Sequence, residues 1–307
     1  MKPTIFLTGG LGFIGSHIAR ELVRLGYPTR IYDNFSSGRL SRIADIQKHI
    51  EIIRGDILDK KSLTKAMKGA TIVSHHAAQL EITKAIKDPY FDLTSNTVGT
   101  INVLEASLAN RVSKLINISS ACVYGQTAGI PSKETDPTNP NWAYGVSKLA
   151  AEKYCSIYNS LYKLPIISFR YAIIYGPDEW YGRVMTLFIK QAITNKPLVI
   201  FDTGKQTRDF THISLVVDAN IKAIRYTPRH HEIINVSTGI GTSIKEGDIS
   251  THINRIRIPN ELHHLVLSPN KLYHLLKPTA TISLSQGVQQ QMIWASTHAK
   301  YWHTMSY

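Results

Sequence analysis

Thr8-Gly9-Gly10-Leu11-Gly12-Phe13-Ile14-Gly15 lies directly between a β-branched run, Thr4–Thr8, and a stretch in which Ile14, His17, Ile18, Glu21, Leu22 and Leu25 recur at helical spacing. Strand, glycine turn and helix in that order make a phosphate cradle. The glycines allow a tight turn and a close backbone approach, and a pyrophosphate then meets the free N–H groups and positive end of the helix. The plain alternative is an ordinary glycine-rich turn, and the next acidic residue argues against it. Asp33 closes the second strand 18 residues after Gly15, where a carboxylate accepts both hydroxyls of an adenosine ribose and repels a 2′-phosphate, favouring NAD over NADP. Arg39 and Arg42 lie close enough to soften that preference. Asp56, after the third strand, is a candidate for the adenine edge and equally for the cap of a helix starting near Lys60.

Outward from that turn, short β-branched runs alternate with longer amphipathic stretches. Thr4–Thr8, Thr29–Tyr32, Ile50–Ile53, Thr71–His75, Leu115–Ser119 and Ile166–Arg170 read as strands, and Val98, Ile101, Asn102, Glu105 and Leu108 keep helical spacing ahead of the fifth. Repeated strand–helix–strand units predict an α/β fold built on a doubly wound parallel sheet with right-handed crossovers. Beyond about Tyr171 the alternation loosens, with Gly176-Pro177, Pro197, Gly204 and Pro228 as punctuation. Residues 1–171 are therefore expected to form an NAD-binding Rossmann domain, and residues 172–307 a smaller C-terminal α/β region mainly for substrate. No repeat or low-complexity linker separates them, so the two should pack closely.

The chain has 307 residues, 43% apolar and 19% charged, enough to bury a sizeable core, which excludes disordered and fibrous classes. No run approaches the roughly 18 apolar residues of a spanning helix, and Thr4–Thr8 is too short for a signal peptide. A cytoplasmic protein is expected, and two cysteines, Cys122 and Cys155, cannot staple a chain this long. Lys and Arg number 35 against 22 Asp and Glu, a formal charge of +13. Such an excess can hold nucleic acid through counterion release, but here it forms no tail or block. Neither nucleic acid nor a membrane is expected as a partner; a polyanionic small substrate, or mere solubility, accounts for the balance. No Cys/His/carboxylate spacing suggests a metal.

Tyr144-Gly145-Val146-Ser147-Lys148 opens a long helical pattern, and at i and i+4 the phenol and the ammonium share a face. A fixed cation stabilises phenolate and draws a tyrosine down from about 10, so Tyr144 is a candidate general base for a hydroxyl proton. The motif is common by chance on surface helices; its place just past the fifth strand, where ligands of open α/β sheets gather, gives it weight. Ser119-Ser120 end that strand, and a serine hydroxyl there can share the same substrate oxygen.

Taken together, TGGLGFIGSH at 8–17, YDNFSSG at 32–38, GD at 55–56, HHAAQ at 75–79, NTVGTINVLEA at 96–106, SSACVYG at 119–125, YGVSKLAAE at 144–152 and RDFTHI at 208–213 resemble the extended short-chain dehydrogenase/reductases. Within them the likeness is to the nucleotide-sugar epimerase/dehydratase branch, including members like UDP-glucose 4-epimerase. The resemblance implies that Gly9, Gly12 and Gly15 hold the NAD pyrophosphate with Phe13 and Ile14, and that Asp33 and Asn34 hold the adenosine ribose beside Ser37 and Gly38. It places Asp56 and Ile57 at adenine, Ala77 and Ala78 along the cofactor's middle, and Asn96 near it. Tyr144 is then the base, Lys148 also bonds the nicotinamide ribose, Ser120 fills the catalytic Ser/Thr position, and Arg208 meets the substrate diphosphate through a bidentate guanidinium. His75 and His76 read as strand-end packing. A homodimer built on helices near 92–110 and 142–164 is also implied.

Three departures sharpen the reading. Where dehydratases of this branch carry Asp and Glu, this chain has Ala121 and Cys122, so elimination of water is disfavoured, as is decarboxylation. Ile173 replaces a usual asparagine that touches the diphosphate; Trp180, Tyr181 and Arg183 are candidate replacements. The glycine–aspartate–arginine stretch of the C-terminal region is reduced to Pro259-Asn260-Glu261-Leu262, with Arg257 a candidate second phosphate arginine and Ser283 and Trp294 marking the final helix. The expected activity is NAD-dependent inversion of C4 of a UDP-sugar or another nucleotide sugar through a 4-keto intermediate. A net reductase or dehydrogenase on the same substrates is the enzymatic alternative, and a non-catalytic dinucleotide-binding protein the alternative from another class.

Overall fold

Every strand read from the sequence forms, with its ends shifted by one residue. In the computed structural model, which describes residues 2–126, 129–179, 181–201, 204–243, 251–254 and 262–298, these are β1 (Ile5–Thr8), β2 (Thr29–Asp33), β3 (Glu51–Arg54), β4 (Ile72–His75), β5 (Lys114–Ser120) and β6 (Ile166–Tyr171). Between them run α1 (Phe13–Arg24), α2 (Lys60–Ala66), α3 (Ile82–Lys87), α4 (Pro89–Leu93), a π turn (Thr94–Val98), α5 (Gly99–Ala109) and α6 (Ala143–Tyr162).

Past Tyr171 the chain leaves the sheet through β7 (Ile173–Tyr175), α7 (Val184–Ile193), β8 (Leu198–Phe201), β9 (Thr207–Arg208) and β10 (Phe210–His212), then returns through α8 (Ile213–Arg225) and β11 (Glu232–Val236). β11 pairs in parallel with β6, giving the order β11-β6-β5-β4-β1-β2-β3. The sequence pattern did not mark this seventh strand. α9 (Asn270–Leu275) and α10 (Leu284–Thr297) follow, the latter opened by a capping box between Ser283 and Gln286.

Both sheet faces are covered. On one, Ile18 and Leu22 of α1 and Val216 and Ala219 of α8 pack on Ile116, Phe169 and Ile234; on the other, Val103, Leu104 and Cys155 pack on Phe6, Val73, Leu115 and Ile166. This is why the strands read as continuous apolar runs instead of alternating ones. The register sets Thr8 beside Tyr32 and His75, and Ser120 beside Tyr171, so the carboxyl ends of the strands share one edge. Among the described residues no helix is long and apolar enough to cross a membrane.

Two buried cations tie this frame together. The Lys114 ammonium donates to the carbonyls of Ala223, Ile224 and Tyr226 at 2.8, 2.6 and 2.7 Å, closing the carboxyl end of α8 against β5. Arg170 on β6 holds Glu152 on α6 in a two-pronged pair, Nε to Oε1 at 2.9 Å and Nη2 to Oε2 at 2.7 Å. Both partners are within 3% of full burial, and the guanidinium also faces the Tyr124 ring at 4.7 Å. Removing one partner strands a charge in the core, so Glu152→Ala should cost about 3–5 kcal/mol, whereas Glu152→Leu with Arg170→Met should recover most of it. Equilibrium denaturant titration of the three proteins checks this; equal stability of the single and double variants would refute the pairing.

Candidate functional site

A cleft of about 560 Å³ runs along the carboxyl edge of the sheet, from Asp33, Asn34, Asp56 and Ile57 at one end to Ser120, Tyr144 and Lys148 at the other. That size suits a small-molecule ligand. Its middle is the β1–α1 turn. Gly9 has φ +67, and a Cβ there would meet the Ala77 amide nitrogen at 2.6 Å; a Cβ on Gly15 would meet the Gly9 carbonyl at 2.3 Å. Only bare backbone fits, which brings β1, α1 and the end of β4 close together.

No side chain caps α1, and no acidic residue lies in its first turn. Its leading N–H groups at Phe13, Ile14 and Gly15 therefore open onto the cleft, as a pyrophosphate requires. Asp33 accepts the Leu11 amide at 3.0 Å and the Phe35 amide at 2.8 Å. Burial nevertheless raises its carboxyl above the ordinary range, and its remaining lone pairs are available to ribose hydroxyls. Ser37 lines the cleft beside it, and a Cβ on Gly38 would meet Asp33 Oδ1 at 2.6 Å, so that glycine keeps the carboxylate in place. Arg42 is spent on the carbonyls of Leu11 and Ser37, each at 3.1 Å, which makes it a brace for this loop.

The two readings of Asp56 separate here. Asp59, not Asp56, caps α2 through the Ser62 amide at 3.0 Å. Asp56 faces the cleft and accepts from Asn34 Nδ2 at 2.9 Å. Ala77 and Ala78 line the middle of the cleft, and Asn96 is not among its lining residues. It is buried in the π turn, where its Oδ1 accepts the Gln79 amide at 2.9 Å, and Ser95 before it reaches the cleft.

At the far end the side chains of Ser120, Tyr144 and Lys148 line the cleft together. Ser120 Oγ accepts the Cys122 amide at 3.2 Å, fixing the turn after β5. Lys148 is buried, donates to the Ile118 carbonyl at 2.7 Å, and is pulled down to about 8 by burial against the opposing charges of Asp92 and Glu152. The phenol does not move as the motif alone suggests. Burial raises it well above 10, reinforced by the Cys122 thiol, while Arg183 and the neighbouring Ser120 hydroxyl pull it back. The helix spacing sets one face for the pair but does not put the ammonium against the phenol.

Other residues were only partly foreseen. Tyr181 and Arg183 line the substrate end, with the Arg183 guanidinium 5.7 Å from the Tyr181 ring centre and bonded to the Ile174 carbonyl at 3.2 Å. Glu179, which no motif marks, also lines it, is pushed up to about 7 by burial, and accepts from Gln291 Nε2 at 3.1 Å. Arg208, on β9, is not among the residues lining the cleft; its guanidinium donates to the Thr207 carbonyl at 3.1 Å, and its charge acts on the Cys122 thiol. Ile173 packs with Ala121, Val123, Tyr124 and Leu265. His75 is held by Thr8 and Thr100 at 2.8 and 3.0 Å and kept neutral by burial; His76 lines the cleft and bonds Ser74 at 2.9 Å. Trp180, Arg257 and Pro259-Asn260-Glu261 lie outside the described residues.

The NAD dependent epimerase/dehydratase family model matches residues 5–237. A UDP-glucose 4-epimerase of Mycolicibacterium smegmatis is 33% identical over 248 residues, covering 78% of this chain and 79% of that protein. A UDP-N-acetyl-α-D-glucosaminuronate decarboxylase of Bacillus cytotoxicus is 34% identical over 283 residues, covering 90% and 84%. A variant of the UDP-glucuronic acid 4-epimerase from Bacillus cereus, solved with UDP-4-deoxy-4-fluoro-glucuronic acid and NAD, superposes with a TM-score of 0.89 at 29% identity, covering 96% of this chain and 99% of that one. With the glycine turn, Asp33 and the serine–tyrosine–lysine set lining one cleft, these matches make the chain a member of the NAD dependent epimerase/dehydratase family, with NAD as its cofactor.

Proposed function

We propose that the enzyme inverts C4 of a nucleotide-bound sugar, a UDP-sugar foremost, through a 4-keto intermediate, without net oxidation or reduction. The observation that carries this is the far end of the cleft: Ser120, Tyr144 and Lys148 converge there, and the next two positions, Ala121 and Cys122, offer no carboxylate. NAD bound along the cleft supplies a hydride acceptor and donor. The chain's part is to hold the sugar 4-hydroxyl between Ser120 and Tyr144, take its proton on the Tyr144 oxygen, and give it back once the keto sugar presents its other face. Lys148 keeps positive charge under that proton transfer.

The nucleotide diphosphate is a dianion near neutral pH; we assign it to Arg183, which lines the cleft, with Arg208, outside the lining, as a more distant cation. Cys122 stands where an elimination or decarboxylation would need an acid, and burial raises its thiol, so it offers neither a carboxylate nor a ready thiolate. On this reading decarboxylation is disfavoured, because Cys122 supplies no carboxylate. Cofactor retention distinguishes inversion from net redox, because an inverting enzyme regenerates its NAD in place.

Incubation with UDP-, GDP-, dTDP- and CDP-sugars should show C4 inversion by NMR with NAD retained through purification. Tyr144→Phe should lower turnover by roughly 10²–10⁴-fold while melting temperature and bound NAD stay unchanged. Loss of water or carbon dioxide from the sugar would refute the reading, as would undiminished turnover in the phenylalanine variant.

We also propose that the enzyme works as a homodimer. Tyr90, Leu93 and Val98 on the α4–α5 segment and Val146, Ile157 and Leu161 on α6 are large apolar side chains left exposed, Tyr90 by 82%, and the two segments pack side by side. Stable soluble chains cover such a face with a partner. Leu161→Asp with Ile157→Asp should convert a dimer to a monomer in sedimentation equilibrium; a monomeric parent would refute the proposal.

A further inference from the structure

We infer that Asp92 is a positioning residue for this reaction: a buried carboxylate that anchors α6 through Ser147 and biases the charge of both Tyr144 and Lys148. The inference rests on the proposed role of that pair. Asp92, on α4, has no exposed surface, and among the described residues no cation pairs with it within 4.0 Å. Its partners are neutral. Oδ1 accepts from Gln79 Nε2 at 2.8 Å and Asn96 Nδ2 at 3.0 Å, and Oδ2 accepts from the Ser147 hydroxyl at 2.6 Å.

Burying a carboxylate costs free energy that an amide of the same shape would avoid. All three partners donate, so the site takes an acceptor-only group, and the carboxylate that meets this also brings a buried charge beside α6. Ser147 sits directly before Lys148 and three residues after Tyr144, so the carboxylate is fastened to the part of α6 that carries both groups. Gln79 extends the same cluster to the cleft, since it lines the wall and its amide also donates to the Glu81 carbonyl at 3.0 Å.

The groups facing Lys148 are Asp92 from α4, Glu152 and Cys155 from α6, and His75 and His76 at the end of β4. Both histidines are pushed down to about 3 and stay neutral, and Glu152 is already committed to Arg170. Asp92 is thus the foremost negative charge opposing burial at Lys148. Facing Tyr144 are Cys122 from the turn after β5, Arg183 from the lead into α7, and Asp92. One negative charge acts on both groups in the same sense: it favours the ammonium and disfavours the phenolate, raising the two together.

Catalysis needs Tyr144 unprotonated and Lys148 protonated, so these groups set the acid and alkaline limbs of the pH profile. Removing the charge should move both limbs toward acid. Asp92→Asn, which keeps the shape, should fold, retain NAD and shift both limbs down by about one pH unit, the size expected of a charge acting across several ångströms of protein. Asp92→Ser is the second neutral variant and should give the same displacement. Ser147→Ala cuts the tie but leaves the charge, so it should lower turnover at every pH without moving the limbs. Tyrosinate absorbance, with Tyr144→Phe as the subtraction, should show the Tyr144 titration itself moving to lower pH in Asp92→Asn. Limbs and phenol titration unmoved in both neutral variants would overturn the inference and leave Asp92 a structural residue. A shifted phenol titration in a protein that turns over no nucleotide sugar would support Asp92 and overturn only the reaction.

Discussion

How α6 is seated on the sheet decides whether this cleft has any chemistry, because one helix carries Tyr144, Lys148 and the anchor Glu152. The Ser120 hydroxyl is fixed to β5, so a helix displaced by an ångström would take Tyr144 and Lys148 out of line with it along the cleft. Apolar packing is a poor guarantee of that register, since it is non-directional. The two-pronged Arg170–Glu152 pair supplies direction from the sheet side, and the Ser147–Asp92 bond supplies it from the α4 side. Two anchors, one a residue before Lys148 and one a turn beyond it, fix both position and rotation.

That arrangement gathers buried charge where a core would normally exclude it. Lys148, Glu152, Arg170 and Asp92 are all within 5% of full burial. Only Glu152 and Arg170 form a close pair; the charges of Lys148 and Asp92 act over a longer distance and are stabilised locally by a carbonyl and by neutral donors. A tight pair lowers the cost of burial most, whereas at Lys148 the longer-range opposition of Asp92 leaves burial the larger influence and the ammonium is lowered to about 8.

The cofactor half of this site was legible in the sequence because its determinants are local. The turn of Gly9 to Gly15, the strand-end Asp33 and the apolar runs of β1–β6 each act within a few residues, and spacing reports them directly. β11 was missed because the chain makes a long excursion through α7 and β10 before returning, and because Glu232 and Asn235 interrupt its apolar run. Asn235 belongs there as a polar brace, accepting from the Tyr124 hydroxyl at 2.7 Å, a contact 111 residues away that no local pattern announces. Asn96 was placed at the cofactor for the opposite reason. The π turn at Thr94–Val98 rotates the helix surface, so Ser95 faces the cleft and Asn96 turns to Asp92 and Gln79. The state of the Tyr144 phenol depends on burial and on the groups of three separate segments, Cys122, Arg183 and Asp92, which a single i,i+4 spacing does not encode.

The substrate half illustrates how a missing group is compensated by position instead of by identity. Ile173 cannot donate a hydrogen bond, and the structure gives it an apolar neighbourhood of Ala121, Val123 and Leu265. Ala121, which stands where an acid would serve elimination, belongs to that same cluster, so the two departures from the family pattern are one packing solution: a small residue and a branched one fill the space together. In the segment after β7, Glu179, Tyr181 and Arg183 are the polar side chains that reach the cleft. Of the cations behind the formal charge of +13, Lys84, Lys148 and Arg183 line the cleft among the described residues. Steering of a dianionic substrate would draw on the remainder as a diffuse field, which acts on encounter rate and falls with salt, while affinity depends on the few cations that the sheet edge presents.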